Sequence, residues 1–455
     1  MTETPIPTTS LQDQVEAQEA GQRNRFGTFA GVFTPTLLTI LGVIMYLREG
    51  WVVGNAGLVG AWGIIGLALA ITALTGLSMS SITTNIRIGA GGAFSIISQS
   101  LGLEVGGSIG IPLYLSQGLA VAMYIFGFRE GWQSIFPSHP ALLVDLLTFA
   151  VVFAIALISA GLAFRIQYVI MAIVFASLVS VLGTVFTGAL QVQPTLFGQF
   201  PGAPPSFTGT TFWGVFAVFF PAVTGIMAGA NMSGELKDPR RSIPVGTLAA
   251  IALSGVIYLG LAYWLARVAT TDELVSNYTV MIDHSLWPPI VLAGLLGATF
   301  SSALASLVGA PRILQALSIH GVVPGSRFLS RQTPEGEPRH AMWLTGGIVL
   351  AALFLRDLNA IAPLITMFFL ITYAVINVVV FTEQSLGLIS FRPQLRVPRI
   401  VPLLGAAGCL FAMFIIAPAV SLVAVVLVLA FYFVLLRRQL RAPFGDLRSG
   451  LFVSV

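Results

Sequence analysis

Two short stretches of the chain repeat one arrangement of residue types. Thr39, Ile40, Leu41, Gly42, Val43 and Ile44 set a hydroxyl residue shortly before a glycine that two bulky apolar residues follow, and Val223, Thr224, Gly225, Ile226 and Met227 do the same. Each glycine stands mid-way along an apolar segment, where it lets a membrane helix break. A break frees backbone groups of both kinds. Carbonyls before it are hard oxygen ligands for a cation, and N–H groups after it, at the positive end of the second half-helix, favour an anion. Val43, Ile44, Ile226 and Met227 wall those N–H groups with apolar surface, which suits a small, weakly hydrated anion better than a carboxylate carrying a side chain. The hydroxyls of Thr224, Tyr124, Ser301 and Ser302 add neutral oxygens for the cation.

The scarcity of carboxylates sharpens this reading. An ionisable group at mid-bilayer costs roughly 2.5–3.5 kcal/mol even on insertion scales and marks an ion or proton path. Glu49, Glu104, Glu130 and Asp145 are all expected toward span ends, so a proton-coupled mechanism built on a central carboxylate is not expected. A cation held in a neutral cage leaves its charge uncompensated in a low-dielectric place, and an accompanying anion removes that cost.

The elements that must position these groups are membrane spans. With 56% hydrophobic and only 9% charged residues over 455, the chain is no ordinary soluble domain, which carries roughly 25% charge. Apolar runs of spanning length fall near 30–53, 57–82, 104–132, 141–162, 165–188, 211–235, 243–268, 288–314, 340–356, 359–382, 399–417 and 419–436, twelve in all. The last two are divided only by Ala417, Pro418 and Ala419, which leaves eleven spans open. Residues 1–29 are polar, lack a signal-peptide core, and read as a flexible cytoplasmic tail. With both termini cytoplasmic, eighteen of the 22 basic residues lie inside and only Arg48, Arg129, Arg267 and Arg356 outside, as the positive-inside rule requires. The net charge of +4 then needs no nucleic acid partner.

Ten spans divide into two sets of five, 30–188 and 211–382; the odd number gives the sets opposite topology and puts Gly42 and Gly225 in the first helix of each. That is an inverted repeat with broken helices 1 and 6. Segment 399–436 is left over and available for contacts between two copies, a homodimer. Small residues at 89–92 and 301–306 let helices approach closely, and no P-loop surrounds the glycines. Cys409 is the only cysteine and lies inside a span, so no disulfide framework and no transition-metal site is expected. An enzyme needs a nucleophile beside a base; His139, His284, His320 and His340 fall in loops or at span ends and Lys237 at a membrane edge, so no catalytic residue and no cofactor is expected. A non-transporting accessory subunit that keeps the ion sites stays open.

Four runs carry a family resemblance: GVIMYLR at 42–48, AVAMYIFGF at 120–128, FFPAVTGIMAGANMSGEL at 219–236 and LASLVGAPR at 304–312. They resemble the cation-chloride cotransporters of the amino acid-polyamine-organocation superfamily, most of all a prokaryotic-type member of the sodium-potassium-chloride branch. The resemblance covers roughly residues 27–450 and implies an all-α membrane protein of the leucine-transporter-like fold in the plasma (cell inner) membrane. Its implied activity is electroneutral symport of chloride with sodium and/or potassium by alternating access. A sodium-coupled amino-acid symporter on the same fold is the alternative, although such permeases favour small residues where Val43 and Ile44 stand.

Carried over residue by residue, the resemblance implies a potassium site from Tyr124, Pro221 and Thr224 with the carbonyls of Thr39 and Ile40. One chloride would sit on the N–H groups of Gly42, Val43 and Ile44, and a second on those of Gly225, Ile226 and Met227 with the Tyr373 hydroxyl. Sodium would take Leu38, Leu41, Ala298, Ser301 and Ser302. Both serines and Tyr124 follow the sodium-potassium-chloride pattern, while Thr39 stands where that branch has Asn and Leu41 where animal members have Trp. Arg48 and Glu130 correspond to an extracellular gate. Residues 437–455 are expected to be cytoplasmic, with the family's large carboxyl-terminal regulatory domain absent from this chain.

Overall fold

The computed structural model describes residues 26–85, 91–158, 160–203, 207–334, 336–354, 358–386 and 391–438. The tail before residue 26, Arg87, Arg356 and the segment after 438 lie outside the described residues. Among the described residues the long elements are all helices; the strands are a two-residue pair in the loop after span 5, where Gly202 pairs with Thr208 and Ala203 with Phe207.

Among the described residues ten helices are long and apolar enough to cross a membrane, and the two remaining expected segments hold shorter helices, Arg339–Leu353 and Ile400–Ile416. Every expected segment is helical, although 30–53 is divided over several helices and shares Glu49–Asn85 with the segment that follows. The pair at the end is separate: Ala417 leaves the helical region (φ −152°, ψ 83°) and Pro418 opens Pro418–Arg437, a position where its missing N–H costs nothing. Large apolar side chains face outward on these helices, among them Leu147, Val179, Val256, Leu422 and Val426, each at least half exposed. Such a surface is stable only against lipid or another apolar face.

The boundary between spans 1 and 2 is a single residue. Helix Glu49–Asn85 runs through Gly57 at φ 72°, ψ 173°, a backbone that side chains rarely adopt. A Cβ there would also come within 2.6 Å of the Gly198 nitrogen and 2.8 Å of the Leu196 carbonyl. The loop after span 5 is therefore folded over this turn. Asn55 fixes it, its side-chain oxygen accepting from the Gly202 N–H at 2.7 Å and its amide donating to the Gly202 carbonyl at 3.1 Å.

The two breaks take different forms. In span 1 the helix Thr34–Ile40 stops at Leu41 (ψ 46°), Gly42 is extended (φ −94°, ψ −151°), and Val43–Leu47 starts a new helix. In span 6 the chain never extends: Phe212–Phe219 tightens into a 3-10 turn over Phe220–Ile226 before the short helix Met227–Ala230. Pro221, at the start of that turn, has no N–H to donate, which loosens the regular ladder there. The breaks meet directly. A Cβ on Gly225 would lie 2.6 Å from Thr39 Cγ2 and 3.4 Å from the Ile40 nitrogen, so only glycine permits this crossing. Span 8, Pro288–Ile319, packs along spans 3 and 5 and reaches the first break, while span 7, Pro239–Val268, packs along span 2.

One expectation needs correction. Glu49 and Asp145 are not at wet span ends: both are fully buried, and Glu383, within Leu358–Leu386, is buried as well. Glu49 follows the bend at Arg48 (φ −122°, ψ −19°) as the first residue of helix Glu49–Asn85. Asp145 is explained by Arg129, 2.7 Å away, which ties span 3 to span 4.

Candidate functional site

Span 1 supplies the floor of the site through its break. Leu41 still donates to the Leu37 carbonyl at 2.8 Å, whereas Gly42, Val43 and Ile44 form the N-cap and first turn of a new helix, whose N–H groups lack intrahelical acceptors. Three donors thus point from one place, as an anion site requires. Val43 packs against Gly127 of span 3, which seals the apolar wall on that side.

A small cavity lies beside the crossing and is lined by Thr39, Gln117, Tyr124, Thr224, Gly225, Met227, Ala228, Ser306 and Phe369. Of the residues expected to hold potassium, Thr39, Tyr124 and Thr224 meet here; Gly225 and Met227 of the expected second chloride set line the same space. No charged side chain is in this wall. Thr39 gives its hydroxyl hydrogen to the Pro35 carbonyl at 2.7 Å and Thr224 to the Pro221 carbonyl at 2.8 Å. In each case the oxygen lone pairs remain for a cation. The Ile40 carbonyl is already taken on one side, accepting from the Tyr258 hydroxyl at 2.7 Å.

Three of the expected sodium residues, Leu38, Ala298 and Ser302, meet where span 8 touches the first break. The Ser302 hydroxyl lies 2.9 Å from the Ala298 carbonyl and 3.3 Å from the Leu38 carbonyl. Gly42 is close by, a Cβ there falling 3.8 Å from Ser302 Oγ and 4.0 Å from the Leu38 oxygen. Ser301 Oγ is buried with no hydrogen-bond partner, an oxygen whose desolvation is uncompensated in this structure. These are neutral oxygens of the kind a hard monovalent cation accepts.

Tyr373 differs from its expected role in one detail: its hydroxyl donates to the Thr224 carbonyl, bracing span 10 against the 3-10 turn of span 6. Arg48 and Glu130 pair at 3.2 Å, and Arg48 also lies 4.3 Å from the centre of the Tyr278 ring. The pair is about one quarter and one third exposed, so it is partly solvated. At another edge Arg312 of span 8, 6% exposed, pairs with Glu235 after span 6 and, at 3.0 Å, with Glu337 before Arg339–Leu353. Residues 26 and 236 add a parallel bridge there, with the Phe26 N–H on the Glu235 carbonyl at 2.8 Å. The sequence carried no signal for this knot, because 77 positions separate Arg312 from Glu235. Gln117, Ser306 and Phe369 were missed for a similar reason: single residues on three helices show no spacing. Just beyond the end of span 8, beside the Phe94 ring, burial lowers the pKa of His320, which favours its neutral form.

A profile of the amino acid permease family matches residues 31–455. Among curated proteins, solute carrier family 12 member 2 of Squalus acanthias is 35% identical over 464 residues, 90% of this chain and 39% of that protein. Member 2 of Danio rerio is 35% identical over 90% of this chain and 41% of its own length, and member 1 of Rattus norvegicus 34% over 86% and 41%. The chain thus spans about two fifths of the length of these relatives. The proteins it matches are permeases and carriers by name, not enzymes.

Proposed function

We propose that this chain, which belongs to the amino acid permease family, is a secondary transporter that moves chloride together with sodium and potassium, electroneutrally and by alternating access. Its similarity to solute carrier family 12 members over most of the chain supports that class. The observation that carries it is the cavity at the crossing, where Thr39, Tyr124 and Thr224 offer oxygens, no charged side chain lines the wall, and the N–H groups after Gly42 lie at the neighbouring break. A site of neutral donors beside free N–H groups favours a cation and an anion together over either alone.

In this reading potassium takes Thr39, Ile40, Tyr124, Pro221 and Thr224. Chloride takes Gly42, Val43 and Ile44; a second at Gly225, Ile226, Met227 and Tyr373 requires the Tyr373 hydroxyl to turn from the Thr224 carbonyl it now donates to. Sodium takes Leu38, Leu41, Ala298, Ser301 and Ser302. The twelve helices form a 5+5 inverted repeat, and rocking of one bundle against the other alternates access, with Arg48 and Glu130 as the extracellular gate. The protein lies in the plasma membrane with both termini cytoplasmic, and the apolar faces of spans 11 and 12 take lipid or a second copy.

Uptake of rubidium into proteoliposomes tests this. It requires chloride and rises with sodium in this account; uptake indifferent to chloride refutes it. A sodium-coupled amino-acid symporter is the second reading, favoured by the name of the matching family and opposed by the bulk of Val43 and Ile44. Sodium flux stimulated by alanine or serine, and not by chloride, would reverse the order.

A further inference from the structure

Glu49 is fully buried, and neither of its carboxylate oxygens has a hydrogen-bond partner. The functional reading above gives it no task. Its neighbours on the packed elements offer no counter-charge. Leu265 of span 7 and Leu274 of Thr271–Ser276 lie against the adjacent Gly50. Arg48, next in sequence, is turned to Glu130 and the Tyr278 ring. Arg267 of span 7 donates to the Leu190 carbonyl, and Glu273 pairs with His284 at 2.6 Å. The titratable groups left around it are tyrosines. They are Tyr46, Tyr124 and Tyr258; Tyr258 donates to the Ile40 carbonyl and Tyr46 hydrogen-bonds Ser177 at 2.6 Å.

An ionised carboxylate sealed among apolar groups and neutral hydroxyls, without a cation or a donor, is far less stable than the neutral acid. The residue before it, Arg48, is paired with Glu130. We propose that Glu49 is a proton-binding site linked to that gate: it holds a proton while Arg48 and Glu130 are paired, as here, and exchanges it with the outer medium when the pair opens and water reaches the carboxyl. The proton simply leaves to and returns from water, so no co-reactant is needed. Proton binding and closure then favour each other, and acid on the gate side promotes closure.

This rests on the proposed reading only for Arg48 and Glu130 as a gate, and its test needs no transport. Infrared difference spectra of the lipid-reconstituted protein at neutral pH, wild type against Glu49→Gln, should contain the carbonyl stretch of one protonated carboxylic acid. In Glu130→Gln, where the gate pair is broken, the same band should disappear at a lower pH than in wild type. No Glu49-dependent band, or a band whose titration is unmoved by Glu130→Gln, overturns the proposal. If Glu49→Gln does not fold, Glu49→Asp serves, since a protonated acid at this site would shift its band and an absent one would not. Failure of chloride-dependent uptake with the band behaving as described would remove the transport reading and leave the proton site standing.

Discussion

The crossing of the two breaks makes Gly225→Ala the sharpest perturbation. The added methyl would lie 2.6 Å from Thr39 Cγ2, 2.8 Å from Thr39 Cβ and 3.4 Å from the Ile40 nitrogen, well inside ordinary contact of about 3.5–4.0 Å. Thr39 cannot simply rotate away, because its hydroxyl is held on the Pro35 carbonyl at 2.7 Å. Overpacking of this kind costs about 1–3 kcal/mol. If the strain falls on the bound state, about 2 kcal/mol is a roughly 30-fold loss in apparent cation affinity. Thr39→Ser removes Cγ2 and keeps the hydroxyl, so the double variant should recover a part, with a coupling of about 1 kcal/mol. The assay is concentration-dependent rubidium uptake for wild type, both single variants and the double, with thermal stability of the solubilised protein measured alongside. Strictly additive effects of the two substitutions would refute the contact, and a fully active Gly225→Ala would refute the crossing.

Three further outcomes follow from the same geometry. Ser302→Ala removes the hydroxyl between Ala298 and Leu38; it should lower apparent sodium affinity several-fold, about 1 kcal/mol, and leave sodium-independent rubidium uptake in place. Glu130→Gln should slow transport while changing stability by under about 1 kcal/mol, since the pair is partly exposed; unchanged flux would deny it a gating role. Arg312→Leu leaves Glu235 and Glu337 facing each other without their shared cation and should destabilise by about 3 kcal/mol, read as loss of monodisperse protein; adding Glu235→Gln and Glu337→Gln should restore part of it.

Much of the architecture was legible because the bilayer leaves few choices. Helices are the only lipid-exposed elements that satisfy their own backbone within one segment, so long apolar runs marked the long helices, while Ala93–Leu101 and the short helix Thr271–Ser276 fell outside them. The division at Ala417 was left open by the sequence, since only Ala417, Pro418 and Ala419 separate the two runs, and the backbone turn at Gly57 was not marked. The breaks were legible as glycines next to hydroxyls, but their forms were not: Gly42 extends, while Pro221 turns the second into 3-10 geometry, and that depends on what each packs against. Glu49 was misplaced because distance along a span was taken for depth, and the bend at Arg48 separates the two. The knot around Arg312 and the lining by Gln117, Ser306 and Phe369 depend on which helices touch, and no residue spacing records that.

The claim on which the rest depends is that cation and anion move together. Rubidium uptake into proteoliposomes, measured with chloride or gluconate inside and outside and with a membrane potential imposed in either direction, addresses it directly. The account predicts uptake that needs chloride and does not respond to the potential. Uptake that persists in gluconate and follows the potential would contradict it.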